Sequence, residues 1–305
     1  MHELVTLLTE LAPNEGYNLT ALPDVRLLRS NRPMRDTPVL YDPGIVIVCQ
    51  GRKRGYLGEQ LYLYDALQYL AVSVPVPFTM QTDASAHEPL LAVYLHLDLV
   101  LAADLMVQID QSAGASSAVP LGMVSSPLGP ALAGSLARLL EALRDPLAAR
   151  LLGRALVREI YFHVLVGPQG PSLRAALAQQ GQFGKIARAI RLIHASYNEA
   201  LDVELLAREA GMSMPTFHSH FKAITHTSPI QYIKSIRLHQ ARLLMAQSSQ
   251  TAAAASIAVG YESSSQFSRE FKRLFGRTPI EEVQRMRADF AVPPARAESI
   301  YVSSH

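Results

Sequence analysis

The sequence predicts a multidomain protein of α and β structure. An N-terminal small β-barrel or sandwich is followed by a helical middle segment and an all-α C-terminal domain with two helix-turn-helix motifs. Three observations carry this. The 305 residues, 49% of them apolar, suffice for about two cored domains. The apolar period changes from short strand-like runs to helical spacing near Asp98. An internal duplication occupies the last third of the chain.

Composition excludes several classes first. With 18% charged residues the chain is not largely disordered. A single cysteine excludes a disulfide framework, a cysteine zinc site and an iron–sulfur cluster. Arg, Asp, Gln or His interrupts every hydrophobic stretch before a membrane span of about 20 residues is reached. The opening Met1-His-Glu-Leu-Val-Thr-Leu-Leu-Thr-Glu10 lacks the basic start of a secretory signal. A cytoplasmic, nucleoid-associated location is expected. The net charge of +2 hides an asymmetry: residues 1–181 balance at −3, residues 182–305 at +5, with six of the ten histidines. The basic end is the one expected to meet a polyanion.

Element by element, Leu40-Tyr-Asp-Pro-Gly44 is a turn into the strand Ile45-Val-Ile-Val-Cys49. Gln50-Gly51 and the run Arg52-Lys53-Arg54 read as a solvated turn. Leu61–Tyr64, Ala66–Val74 and Pro89–Leu97 read as further strands, the set as a whole being rich in Val, Ile and Tyr. Leu99–Ile109 has helical spacing, and Asp110–Pro120 is a Ser/Ala/Gly/Pro-rich connector. Leu128–Leu143 and Pro146–Val166 are amphipathic helices, and Gly167-Pro-Gln-Gly-Pro171 stops the second. From Phe183 to about Phe290 the pattern is helical, punctuated by Gly and Pro.

The duplication lies in that last stretch. Leu206-Ala-Arg-Glu-Ala-Gly211 and Ala255-Ser-Ile-Ala-Val-Gly260 match at an offset of 49. Phe217-His-Ser-His-Phe221-Lys222 and Phe267-Ser-Arg-Glu-Phe271-Lys272 match at 50, as do Ser228-Pro229-Ile230 and Thr278-Pro279-Ile280. Each copy reads as a short helix, N-capped in the first by Asp202, a turn glycine, and a second helix whose two phenylalanines face inward. The outward face then carries Pro215, His218 and Ser219 in one copy and Ser264, Ser265, Ser268 and Arg269 in the other. Such side chains on a helix suit base edges in a major groove, with Arg269 placed for a bidentate guanine contact. Lys222, Lys272 and Arg273, toward the helix ends, suit phosphates. Pro229–Ala246 is the helix that spaces the two copies.

The segment Gly260-Tyr-Glu-Ser-Ser-Ser-Gln-Phe-Ser-Arg-Glu-Phe-Lys-Arg-Leu-Phe-Gly-Arg-Thr-Pro279 closely resembles the signature of AraC-type transcriptional regulators, and Val203–Ile233 resembles their first helix-turn-helix. Tyr41-x-Pro, Gln50-Gly51-x-Lys53, Ser73-Val-Pro-Val-Pro77 and Pro89 before a long strand resemble the cupin-like N-terminal domain of one branch of that family. The resemblance implies a bacterial regulator in four parts. These are an effector-binding barrel (1–120), a helical linker or dimerisation segment (121–180), a DNA-binding domain (181–290) and a tail (291–305). Its implied partners are double-stranded promoter DNA, a small-molecule effector, a second copy of the chain and RNA polymerase. The chain departs from the family at Ala252, Ala255 and Ser256, where larger aliphatics and an alanine are usual, which predicts looser docking of the second copy.

No His-x-His pair precedes Gly181, so neither a metal nor another cofactor is expected in the barrel. The polar-capable residues inside apolar strands, Cys49, Tyr69, Tyr94 and His96, are the candidate effector contacts, although a satisfied core residue is the favoured reading of each. Strand alternation puts Ile45, Ile47 and Cys49 on one face and Val46 and Val48 on the other, leaving open which lines a cavity. Cys49 reads as a buried inert thiol, since no second cysteine could resolve a disulfide. The leading reading is therefore a ligand-responsive DNA-binding regulator and no enzyme. The alternatives are a cupin-type enzyme with a helical accessory domain, and a constitutive DNA-binding protein with a scaffold barrel.

Overall fold

In a computed structural model that describes residues 2–178, 181–248 and 250–289, the N-terminal half holds two antiparallel sheets. The strands are β1 (Gly16–Leu19), β2 (Val25–Ser30), β3 (Met34–Leu40), β4 (Gly44–Gln50), β5 (Arg52–Leu57), β6 (Gln60–Leu63), β7 (Gln68–Val72), β8 (Pro77–Asp83), β9 (Leu90–His96) and β10 (Met123–Pro127). One sheet has the order β1-β2-β9-β4-β7-β10, the other β3-β8-β5-β6. The expected barrel is thus a two-sheet sandwich, in which neither strand order closes on itself.

The central strand β4 explains why its sequence shows no polar alternation. Val46 and Val48 point between the sheets, where they meet Leu70, Val72, Ala92, Tyr94, Tyr41, Tyr64, Phe78 and Met80. Ile45, Ile47 and Cys49 point the other way, onto a layer of helices. A strand buried on both faces reads as a continuous apolar run. The helical layer is α1 (His2–Leu11), α2 (Leu99–Ala113), α3 (Pro130–Leu143), α4 (Pro146–Val166) and α5 (Gly170–Leu177). Leu8, Leu105, Leu136, Leu140, Ile160 and Val164 of this layer share one core with the sheet.

Three departures from the sequence reading stand out. The helix expected at 99–109 runs on to Ala113, capped at its start by Asp98, whose carboxylate accepts from the Val100 and Leu101 amides. Residues 123–127, expected in the helical linker, form β10 and pair with β7, so the sheet extends past residue 120. The Arg52-Lys53-Arg54 run is not a solvated turn: it lies on β5, whose period of two buries Lys53 to 3% exposure between two more exposed arginines.

The C-terminal half is α6 (Gly181–Ser196), α7 (Val203–Glu209), α8 (Met214–Thr225), α9 (Pro229–Ser248), α10 (Ala252–Ala258), α11 (Ser264–Phe275) and α12 (Pro279–Asp289). The pairs α7–α8 and α10–α11 lie at the two duplicated segments. A tail at 291–305 lies outside the described residues. One continuous set of buried side chains joins the sheet interior to the first pair, including Val74, Val76, Phe217, Phe221 and Tyr232. The Tyr232 hydroxyl donates to the Pro75 carbonyl at 2.8 Å and lies 2.9 Å from His194 Nε2. With its own proton committed to Pro75, it accepts from a neutral imidazole protonated on Nε2. The second pair packs separately, around Leu238, Ala241, Met245, Val259, Phe267, Phe271 and Phe275.

Candidate DNA interface and effector sites

The two helix pairs are built alike from the backbone up. In the first, Asp202 caps α7 by accepting from the Leu205 amide at 2.5 Å. Gly211 turns the chain at φ +59°, and Pro215 sits in the first turn of α8, where no intrahelical amide bond is lost. In the second, Thr251 caps α10, Gly260 turns the chain at φ +83°, and Ser263 caps α11. Phe217 and Phe221 have ring centroids 5.4 Å apart at 50°; Phe267 and Phe271 have theirs 5.5 Å apart at 52°. The same aromatic spacing therefore gives the buried sides of α8 and α11 the same ring geometry.

With the phenylalanines inward, the opposite faces are open. Pro215, His218, Ser219 and Lys222 on α8 are exposed, and so are Ser264, Ser265, Ser268, Arg269, Lys272 and Arg273 on α11. The structure thus leaves all ten residues singled out by the repeat uncovered. Lys272 and Arg273 lie in the last turn of α11, where positive charge also favours the helix dipole.

Sequence reasoning missed what ties the pairs together. Arg237 on α9 spreads its guanidinium over three carbonyls: Nε to Tyr197 at 2.7 Å, Nη1 to Gly260 at 3.0 Å and Nη2 to Glu199 at 2.7 Å. Glu270, on the inner side of α11, accepts from Lys234 of α9 at 2.7 Å and from the Tyr261 hydroxyl at 2.8 Å. These two bonds, together with Gln266, hold its carboxyl below the usual range against the opposing effect of burial. Ser256, one of the three positions that depart from the family pattern, is fully buried and turns its hydroxyl back to the Ala253 carbonyl at 2.8 Å. Only the arginine and lysine of α9 could have hinted at this, and arginine on a helix is too common to single out.

The four candidate effector contacts do not come together. Cys49 and Tyr69 lie on the helix-covered face of the six-stranded sheet. Burial pushes the Cys49 thiol up to about 12, so it stays protonated and inert there. Tyr94 faces the space between the sheets, and His96, at the strand end, has Nδ1 3.9 Å from the Asp42 carboxylate. The notable group between the sheets is Lys53. Its Nζ donates to the Tyr41 hydroxyl at 3.1 Å and lies 3.5 Å from Met80 Sδ, while the Tyr41 hydroxyl is 3.5 Å from that of Tyr64. A Cβ added at Gly55 would come within 3.0 Å of Phe78, so the interior beside Tyr64 is closely filled. Among the described residues no group of three or more His, Cys, Asp and Glu could hold a metal, and no helix is long and apolar enough to cross a membrane.

A sandwich backed by helices, joined to two helix pairs with open polar faces, defines a helix-turn-helix DNA-binding protein with an attached N-terminal domain. The family described as AraC-type transcriptional regulator N-terminus matches residues 21–172, and a helix-turn-helix domain family matches residues 206–285. The chain belongs to the AraC-type transcriptional regulators. Among curated relatives it is 38% identical over 87 residues to the MmsAB operon regulatory protein of Pseudomonas aeruginosa, covering 28% of each chain. It is 27% identical over 166 residues to the regulator ExsA of the same species, covering 53% of this chain and 58% of that one. The chain spans about a third of the length of the first curated relatives, 28%, 32% and 31%. Most of the chain shares its fold with ToxT of Vibrio cholerae. An apo ToxT variant matches with a TM-score of 0.61 at 12% identity, over 89% of this chain and 99% of that one. Fatty-acid-bound ToxT matches with a TM-score of 0.59 at 13% identity, over 85% and 93%.

Proposed function

We propose that the chain is a sequence-specific transcriptional regulator whose two helix pairs, α7–α8 and α10–α11, both read promoter DNA, under control of a small organic effector bound by the N-terminal half. The observation that carries this is the duplicated geometry: two helices with matching aromatic anchors and uncovered polar, basic faces. Arg269 is the guanine-reading candidate, while Ser264, Ser265, Ser268, Pro215, His218 and Ser219 meet base edges and Lys222, Lys272 and Arg273 meet phosphates. The spacer α9 has 20 residues and so spans about 30 Å, close to the roughly 34 Å between successive major-groove faces. The division of labour we infer is sandwich with helices α1–α5 for signal, α6–α12 for DNA.

An organic effector is supported by ToxT, a protein of the same fold that binds an unsaturated fatty acid. The outer face of α4 leaves Leu147, Leu151 and Phe162 exposed, which supports pairing with a second copy there. RNA polymerase is the remaining partner of a promoter-bound regulator.

Selection from a random duplex pool tests the reading. The expected product is a preferred site with two recognised segments about one helical turn apart, bound more weakly as salt rises. Arg269→Ala should lose about 1–3 kcal/mol on that site and relax preference at one base position. Uniform binding to all DNA, with no salt dependence, would sink the proposal.

A further inference from the structure

The two reader helices differ in the kind of charge they carry. Aligned at the offset of 50, His218-Ser219 of α8 stands where α11 has Ser268-Arg269. In each copy these residues follow the inward phenylalanine, Phe217 or Phe267, and lie on the uncovered face. The second reader thus holds a guanidinium, which is charged at every working pH. The first holds an imidazole, the side chain whose charge changes between about pH 5 and 8. The fixed cation of that face is Lys222, one turn further on, and α8 contains no Asp or Glu.

His218 is exposed, and among the described residues it makes no hydrogen bond and pairs with no carboxylate. The charged groups on the elements packed against α8 are engaged elsewhere. On α7, Arg208 pairs with Glu204 at 3.4 Å; on α6, Lys185 donates to the Gly211 carbonyl at 3.3 Å. On α9, Lys234 is bound to Glu270 at 2.7 Å, Arg242 to Glu282 at 3.2 Å, and Arg237 to its three carbonyls. Neither Glu209 of α7 nor Arg188 or Arg191 of α6 pairs with an imidazole of α8. His220 is half-buried at the place that Glu270 takes in the second copy. The sandwich meets α8 at its far end, where a Cβ on Gly58, beside the exposed Glu59, would lie 3.2 Å from His226 Nδ1. The His218 ring is therefore left to whatever lies along the open face. A neutral imidazole presents one donor and one acceptor, the charged ring two donors. Guanine offers two acceptors in the major groove, N7 and O6, and flanking phosphates favour the charged ring.

We propose that His218 is a proton-dependent base reader: charged, it donates to a guanine in the first recognised segment, and neutral, it gives up that preference. The first segment is then bound more tightly as pH falls, while the second, read through Arg269, is bound alike over the same range. Proton and DNA are linked ligands, so a site that favours the charged ring takes up a proton on binding. The proposal rests on the regulator reading above and adds to it a signal sensed at the DNA itself.

The test is the binding constant of the full chain for the duplex selected from the random pool, followed from about pH 8 to about pH 6.5. That window lies above the one in which the buried His194 and His239 begin to cost stability. The segment whose preference Arg269→Ala relaxes is the second, and the other is the first. A preference of about one pH unit for the charged ring should tighten the intact duplex about fourfold across the window. Scrambling the first segment should abolish the gain, and scrambling the second should not. His218→Asn, at an exposed position, should give a flat profile. His220→Asn should keep the rise, as should Arg269→Gln at weaker affinity. Selection repeated at the two ends of the window should enrich one guanine in the first segment at the acid end. A flat profile for the parent overturns the proposal, and so does a rise that survives His218→Asn or the scrambled first segment. A preferred duplex bound alike at both ends fails this proposal alone. A pool that yields no preferred duplex at either pH fails the regulator reading, and the proposal with it.

Discussion

The two turn glycines show how residues that look equivalent in a repeat differ in what holds them. Both have left-handed φ, which a side chain resists. A Cβ at Gly211 would meet nothing within 4 Å, whereas one at Gly260 would lie 2.5 Å from the Asn198 carbonyl oxygen. Gly211→Ala should therefore cost about 1–2 kcal/mol, the backbone penalty alone. Gly260→Ala should cost about 3 kcal/mol or more, because either the α6–α7 connection or α10 has to move as well. Urea unfolding of the two variants measures the difference; equal losses would mean that the second pair gives way without resistance. Lys53 carries the complementary lesson. Its charge made it look solvated, and only the strand period, counted from Arg52, places it inward.

At the scale of elements, the C-terminal helices were legible because aromatic spacing and capping are local. Phe at i and i+4, a glycine turn and a Ser, Thr or Asp cap all act within one turn of chain. The strand β10 was not legible: Met123–Pro127 earns its place by pairing with β7, some fifty residues earlier, and nothing in five residues announces a partner. The candidate effector residues fall on two faces of the sheet for a related reason. A doubly buried strand gives no polar alternation to say which face is which, so Cys49 and Tyr94 looked alike. The element that unites the helical half is α9, through Arg237. Arg237→Ala should cost about 2–3 kcal/mol by releasing three carbonyls at once, and Arg237→Lys should rescue little, since a single ammonium cannot span them. Urea midpoints of both variants check this; full rescue by lysine would mean that charge and not the fork matters.

At the scale of the whole molecule, two buried neutral histidines make stability depend on pH. Burial holds His194 down to about 3, and burial together with Arg242 holds His239 well below its ordinary value. The unfolded chain takes up these protons near pH 6.5 while the native one refuses them. Both native values are depressed, so their contribution is complete above about pH 6.5 and is lost as pH falls below it, for His194 down to about 3. Each histidine should remove roughly 1.4 kcal/mol per pH unit in that window. Between pH 6.5 and 5 most carboxylates are still silent, so urea titrations there isolate the effect, and His194→Gln should carry about half the slope. A flat profile would mean that the imidazoles reach water. Because His194 and Tyr232 sit at the join with Pro75, the same acidification should loosen the two halves from each other.

The shared core between the sandwich and the first helix pair changes where this chain can be divided. Val74 and Val76 pack in one body with Phe217, Phe221 and Tyr232, while the second pair closes around its own phenylalanines. A fragment cut at the start of α6 would carry a bare apolar face that an intact chain never shows to water. Anyone who isolates the helical half for binding work inherits an adhesive surface, and its self-association would masquerade as cooperativity on DNA.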